Sequence, residues 1–310
     1  MTAAAALRVP KPASTALIAG CLCAIWFIWG STYLAIKFAL VSFPPFLQMG
    51  SRFVVAGLLL GAWAWWRGAR WPSLDEWLGA TVLSLLMIVG GFGLTALAQT
   101  EVSSGLAVAF FTVSPAVMAL MQLPYGIRPK RLELAGIACG LIGVGLLTRG
   151  QGLSASLSGV LCLASASLCW SLGSVWTAHG LPGGRKLALA SGAAGYASQM
   201  LVGGLLMLLI AHVLGEVPQW PPDARALAAW VYLVSAGTLI TFSAYMLLLQ
   251  HTSPALASSY AFVNPVIGLL LGVAVGGEVV SRGEWLAASI ALIGVLLLLL
   301  AKKPSGYRLG

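Results

Sequence analysis

Apolar residues run along this chain in blocks of roughly 18 to 26, separated by very short polar loops. Each block is long enough to cross a hydrocarbon layer as a helix, which satisfies its own backbone hydrogen bonds where lipid offers none. The blocks fall at about 15–40, 45–66, 74–97, 102–124, 131–148, 154–178, 186–213, 225–250, 253–276 and 283–301. They predict ten transmembrane helices and no separate soluble domain. Because the blocks are apolar all round, periodicity does not say which face of each helix meets the interior.

Composition agrees with this pattern. Of 310 residues 59% are hydrophobic and only 8% are charged, far too few charges to cover a soluble protein of this size. The first block is too long for a signal-peptide core and no small-residue cleavage site follows it, so it reads as the first transmembrane helix. The net charge of +9 would suit nucleic acid, but the cations are not placed for it. With the N-terminus inside, twelve of the 17 Lys and Arg fall on the cytoplasmic side. Four (Lys37, Arg149, Arg225, Arg282) fall outside, and Arg52 lies within the second helix. This positive-inside bias predicts that both termini are cytoplasmic, and it accounts for the basic charge without a nucleic-acid partner.

Several chemistries have no signature. The five cysteines lie in apolar blocks without metal-ligand spacing and read as small packing residues. There is no G-x-x-x-x-G-K for ATP and no H-E-x-x-H, and the three histidines are far apart in sequence. No enzyme, cofactor or metal is expected. A channel would need a continuous polar stripe or a filter, and neither is visible.

The chain repeats itself. VSPAVMALM (113–121) aligns with VNPVIGLLL (263–271), with Pro115 opposite Pro265. ELAGIACGLIGVGLL (133–147) aligns with EWLAASIALIGVLLL (284–298), with Glu133 opposite Glu284. The fourth and ninth helices therefore correspond, as do the fifth and tenth. Two five-helix units follow, 1–150 and 151–310. Five is odd, so the second unit crosses the membrane in the opposite sense. Inverted repeats of this kind build secondary transporters, with the substrate site near the midplane between the halves. The fold expected is an all-α integral membrane protein, ten transmembrane helices as two inverted five-helix repeats around a central cavity.

Four strings in order, WGSTYLAIK (29–37), SRFVVAG (51–57), NPVIGLLLGVAVGGE (264–278) and LIGV (292–295), resemble the drug/metabolite transporter superfamily in its EamA-type ten-helix form. The resemblance covers nearly the whole chain, and within the family it looks most like the YddG-type exporters of aromatic and other amino acids. It implies two inverted repeats around a central cavity and export of small metabolites across the bacterial inner membrane. One departure is that the fourth helix ends in LPYGIRPKRLE and lacks the Gly277-Glu278 of the second half.

Candidate substrate-binding residues follow from polar and aromatic groups inside apolar blocks. Trp29, Tyr33 and Lys37 stack at helical spacing on the first helix. Lys37 reads as snorkelling to the outer interface. The sixth helix places Trp170, Ser171 and Ser174 in a similar context, where small hydroxyls also serve close helix packing. Arg52 is the costliest residue, since a charge within the bilayer must be paired or hydrated. Its guanidinium suits a substrate carboxylate; the alternative is structural pairing with helix-end carbonyls or with Glu101. Tyr260 and Asn264 share a face of the ninth helix, and Asn264 can both donate and accept. Gln99 and Gln199 are weaker candidates. Pro115 and Pro265 each remove a mid-helix donor and are candidate hinges, or static bends. Gly268, Gly272 and Gly276 form a packing stripe. Phe92, Phe110 and Phe111 read as core or lipid-facing.

No Asp or Glu falls in the middle of a predicted helix, and the histidines sit at helix ends. A tightly coupled proton carrier usually keeps a buried titratable group. The expectation is therefore facilitated export of amino acids, including aromatic ones, by a monomer in the lipid bilayer. The alternative is proton-coupled efflux of drugs or lipophilic cations, which aromatic cavities suit by cation–π contact.

Overall fold

The computed structural model describes residues 14–102, 104–147, 156–183, 185–276 and 281–301. Among them every regular element is a helix. In chain order they are α1 (Thr15–Ala39), α2 (Pro45–Trp66), α3 (Leu74–Ala98), α4 (Ser104–Phe111), α5 (Ser114–Met121) and α6 (Arg131–Leu147). They continue as α7 (Leu157–His179), α8 (Gly192–Val213), α9 (Ala224–His251), α10 (Pro254–Ala257), α11 (Tyr260–Gly276) and α12 (Arg282–Leu300). Six of these, α1, α2, α3, α7, α8 and α9, are long and apolar enough to cross a membrane. The expected cytoplasmic cations at Arg8, Lys11, Lys302, Lys303 and Arg308, together with Arg149, Glu278 and the surroundings of Gly268, Gly272 and Gly276, lie outside the described residues.

Local chemistry sets the helix starts. Ser14 accepts from Leu17 N, Ser156 accepts from Gly159 N at 3.0 Å, and Asp223 accepts from Arg225 N and Ala226 N. Each hydroxyl or carboxylate satisfies amides that the first turn leaves without partners. At α3, Ser73 and Glu76 cap each other reciprocally, and Glu76 also holds Arg70 through two bonds of 2.6 and 2.8 Å. α2 is capped from far away: Glu216, beyond α8, accepts from Phe46 N at 3.2 Å and Leu47 N at 2.7 Å.

Two prolines expected to break helices alike do not. The block 102–124 is interrupted at Thr112 and Val113, and Pro115 lies in the first turn of α5. There its missing N–H is one that no turn would use, so it is not a mid-helix proline. Pro265 does sit inside a helix, α11. The ninth block is also divided, by a turn at Ser258 and Ser259 between α10 and α11. In addition, α3 and α9 each contain a π-helical stretch, Ser84–Gly93 and Leu233–Ile240.

α1 packs one face against α9 and α11 and leaves Leu17, Phe27 and Leu34 exposed on the other. Around it α2 packs on α8 and α6 on α12, at glycines that let backbones touch. A Cβ on Gly50 would lie 2.8 Å from Leu208 N, and one on Gly204 would lie 2.7 Å from Val54 N. A Cβ on Gly136 would lie 2.9 Å from Gly294 O, and one on Gly294 would lie 2.7 Å from Gly136 O. In each pair of contacts the two helices exchange roles.

Candidate functional site

Where α1, α3, α7, α9 and α11 meet, their large rings gather around Trp29. Its ring centroid lies 4.8 Å from Tyr260, 5.3 Å from Tyr245, 5.7 Å from Trp170 and 6.2 Å from Phe92. Most of these contacts are edge-to-face, the arrangement that ring quadrupoles favour. Trp29 is held in place by its indole: Nε1 donates to Gly237 O at 3.2 Å in the π-helical stretch of α9. Thr241 donates to the same carbonyl at 2.6 Å.

On one side of this cluster is a cavity of about 40 Å³. It is lined by Trp29, Thr32, Tyr33 and Ile36 of α1; Gly91, Phe92 and Thr95 of α3; Phe111 of α4; Trp170 of α7; and Tyr260 and Asn264 of α11. That volume holds a few waters and no metabolite, so the site is collapsed in this conformation. The lining carries no charge. The Thr32 hydroxyl donates to Trp29 O at 2.8 Å and that of Thr95 to Gly91 O at 2.6 Å. Asn264 is fully buried and its Oδ1 has no hydrogen-bond partner.

The cavity extends from Trp29 toward Ile36 on α1 and from Gly91 toward Thr95 on α3, so it points to the C-terminal ends of both helices. The opposite end is shut. There Trp170 stacks on Tyr245 at 4.8 Å, Ser174 shares a 2.8 Å hydrogen bond with the Tyr245 hydroxyl, and Trp26 Nε1 donates to Ser259 at 2.9 Å.

Arg52 of α2 lies behind Phe92. It is only 1% exposed, and its Cζ sits 5.2 Å from the Phe53 ring and 5.3 Å from the Phe92 ring. Its Nε and Nη1 have no hydrogen-bond partner, and among the described residues no carboxylate forms an ion pair with it. Glu101, the acidic partner that the sequence offered, is held instead by the hydroxyls of Ser156 and Ser158. Those bonds keep the Glu101 carboxyl below its usual range. One turn before Arg52, both amide atoms of Gln48 are buried without a partner.

The candidates therefore divide. Trp29, Tyr33, Trp170, Tyr260 and Asn264 converge on the cavity. Ser174 lies at its closed end. Ser171 is buried with its hydroxyl unpartnered and does not line the cavity. Gln99 and Gln199 are buried and also off the lining. Arg52 is one ring away. Lys37 is exposed. Phe92 and Phe111, expected in the core or toward lipid, are lining residues; Phe92 had a signal in its three neighbouring glycines, Gly90, Gly91 and Gly93. Tyr245 was not anticipated, although a tyrosine inside the apolar block 225–250 is the same kind of signal as Tyr33 and Tyr260. Among the described residues no three His, Cys, Asp or Glu side chains converge as a metal site.

The EamA-like transporter family matches this chain over residues 16–149 and again over 157–300. The inner membrane transporter YedA of Escherichia coli (strain K12) is 36% identical over 284 residues, covering 91% of this chain and 90% of that one. The transporter sll0355 of Synechocystis sp. is 26% identical and covers 89% of this chain and 88% of its own length. A solved crystal structure superposes with a TM-score of 0.74 at 23% identity, covering 93% of this chain and 98% of the other, a likeness of fold.

Proposed function

The chain belongs to the EamA-like transporter family and is a multi-pass inner-membrane protein, a transporter and not an enzyme; from that premise we propose that it exports small amphipathic metabolites, amino acids including aromatic ones, by alternating access. The observation that carries this reading is the ring-lined cavity, built from helices of both halves of the chain and shut at one end. Trp29, Trp170 and Tyr260 offer flat apolar walls for a side chain. Asn264 offers an unpaired carbonyl oxygen to an ammonium group. The YddG-type exporters are the subgroup this reading places it nearest.

Ten membrane crossings in two inverted units, 1–150 and 151–310, with both termini cytoplasmic, form the architecture of the proposal. Its supports are the role-exchanging contacts of α2 with α8 and α6 with α12, the two separate family matches, and the cation bias of the loops. In that orientation the cavity faces outward and the Trp170–Tyr245 end faces the cytoplasm. Rocking one unit against the other would open the shut end. Pro265 inside α11 and the break before Pro115 are the candidate hinges. With no carboxylate or histidine in the lining, the carrier runs downhill as a monomeric facilitator. The second reading is proton-coupled efflux of lipophilic cations, for which the same rings provide cation–π walls.

Cells loaded with a phenylalanine-containing dipeptide test the proposal. Those expressing the chain release free phenylalanine faster than cells expressing the Trp29→Ala variant. Equal release by both overturns it.

A further inference from the structure

Among the described residues, Arg52 is a buried cation with no ion-pair partner. A guanidinium in a membrane interior is tolerated when something anionic or wet neutralises it. Here two of its donors have no partner, and its immediate neighbours include the rings of Phe53 and Phe92. Buried polar groups are normally satisfied, so an unsatisfied cationic donor points to a ligand that arrives later. Gln48 repeats the observation one turn away, with its amide nitrogen and oxygen both buried and unbonded.

The Phe92 ring stands between the Arg52 guanidinium and the cavity. It faces the cavity with Trp29 and Trp170, and the guanidinium lies on it at 5.3 Å. Phe92 sits in the π-helical stretch Ser84–Gly93, within the string GGFG. π-helical turns recur at functional sites, and glycine neighbours leave the backbone free to turn the residue between them. Gly91 also gives Trp170 its place: a Cβ there would lie 3.0 Å from the indole.

We propose that Arg52 and Gln48 form a carboxylate subsite, entered when Phe92 turns aside on its π-helical hinge. The transported molecule would then lay its apolar part against Trp29, Trp170 and Tyr260 and its carboxylate on Arg52 through charge-assisted bonds. A guanidinium fits the two oxygens side by side, and the Gln48 amide adds a further donor. The substrate class is therefore organic acids and zwitterions with an apolar body, and simple amines are excluded. This deepens the exporter reading and rests on it.

The test uses the full-length protein in detergent with three labelled probes: phenylalanine, phenylacetate and phenethylamine. Wild type binds both acids at least about tenfold more tightly than the amine. Arg52→Gln weakens both acids about tenfold or more and leaves the amine where it was, while Arg52→Lys keeps part of the affinity. Acid binding unchanged in Arg52→Gln overturns the subsite, as does an equal loss of all three probes, which marks a structural role. Phenylacetate binding that depends on Arg52, with no phenylalanine export, upholds the subsite and overturns the amino-acid reading. Phenylalanine export that survives Arg52→Gln does the reverse, and neither acid binding to wild type overturns both. Phenylglyoxal labelling of Arg52, read by peptide mass spectrometry, tests the gate independently. Labelling is slow in wild type and about tenfold faster in Phe92→Ala; equal rates overturn the gating role of Phe92.

Discussion

The indole Nε1 of Trp29 donates to the carbonyl oxygen of Gly237 at 3.2 Å, joining the first helix of one half to the π-helical turn of α9 in the other. This bond fixes the angle of the ring that four other rings pack against. The ring cluster and the contact between α1 and α9 therefore share one side chain.

Trp29→Ala removes both the ring and the bond. We expect saturable amino-acid flux to fall about tenfold or more. Trp29→Phe keeps an apolar ring but loses the donor and part of the ring surface, and the fall should be smaller, roughly threefold. Flux assays on reconstituted protein separate the two, and equal flux in all three forms would remove Trp29 from the pathway.

The contact between α6 and α12 makes a stability prediction. A Cβ on Gly294 would lie 2.6 Å from Gly140 N, against backbone that cannot rotate away. Gly294→Ala should destabilise the protein by about 1–3 kcal/mol, as overpacking does. A Cβ on Gly20 of α1 would meet nothing within 4 Å. Gly20→Ala should therefore be neutral or stabilising by up to about 1 kcal/mol. Thermal unfolding in detergent reads both, and equal shifts would contradict the close helix contact.

Ser174 and Tyr245 share a buried 2.8 Å hydrogen bond at the shut end of the cavity. Ser174 also donates to Trp170 O at 2.7 Å, so Tyr245 is the donor in the shared bond; Ser174→Ala takes away its acceptor, at a cost of about 1–3 kcal/mol, whereas Tyr245→Phe leaves Ser174 bonded and costs less. The double variant Ser174→Ala/Tyr245→Phe should cost less than the two single changes added together. A double-mutant cycle on unfolding free energies measures the difference. Strict additivity would mean the bond is absent from the populated state.

The helices themselves were legible in the sequence. The block 45–66 is α2 (Pro45–Trp66), 131–148 is α6 (Arg131–Leu147) and 283–301 is α12 (Arg282–Leu300), each within a residue or so. Length and apolar content decide such elements, and both are local. What the sequence hid depends on how helices lie against one another. The π-helical stretches, the break at Thr112 and Val113, and the position of Pro115 at a helix start answer to packing. The inward faces of α3 and α9 were invisible because those helices are apolar all round, so Phe92 was read as core or lipid-facing and Tyr245 was not singled out. Trp29, Tyr33, Trp170, Tyr260 and Asn264, which line the cavity, could be singled out because an aromatic or polar group in mid-block is itself unusual. That Arg52 is costly was evident from the sequence; that Glu101 does not answer it required coordinates.

The most direct measurement is uptake of labelled phenylalanine into liposomes containing the pure protein, with and without an imposed pH gradient, beside a labelled lipophilic cation. The account predicts saturable phenylalanine uptake that is the same with and without the gradient, and that falls in the Trp29→Ala variant. Uptake of the cation alone, or phenylalanine uptake that appears only with the gradient, would contradict it.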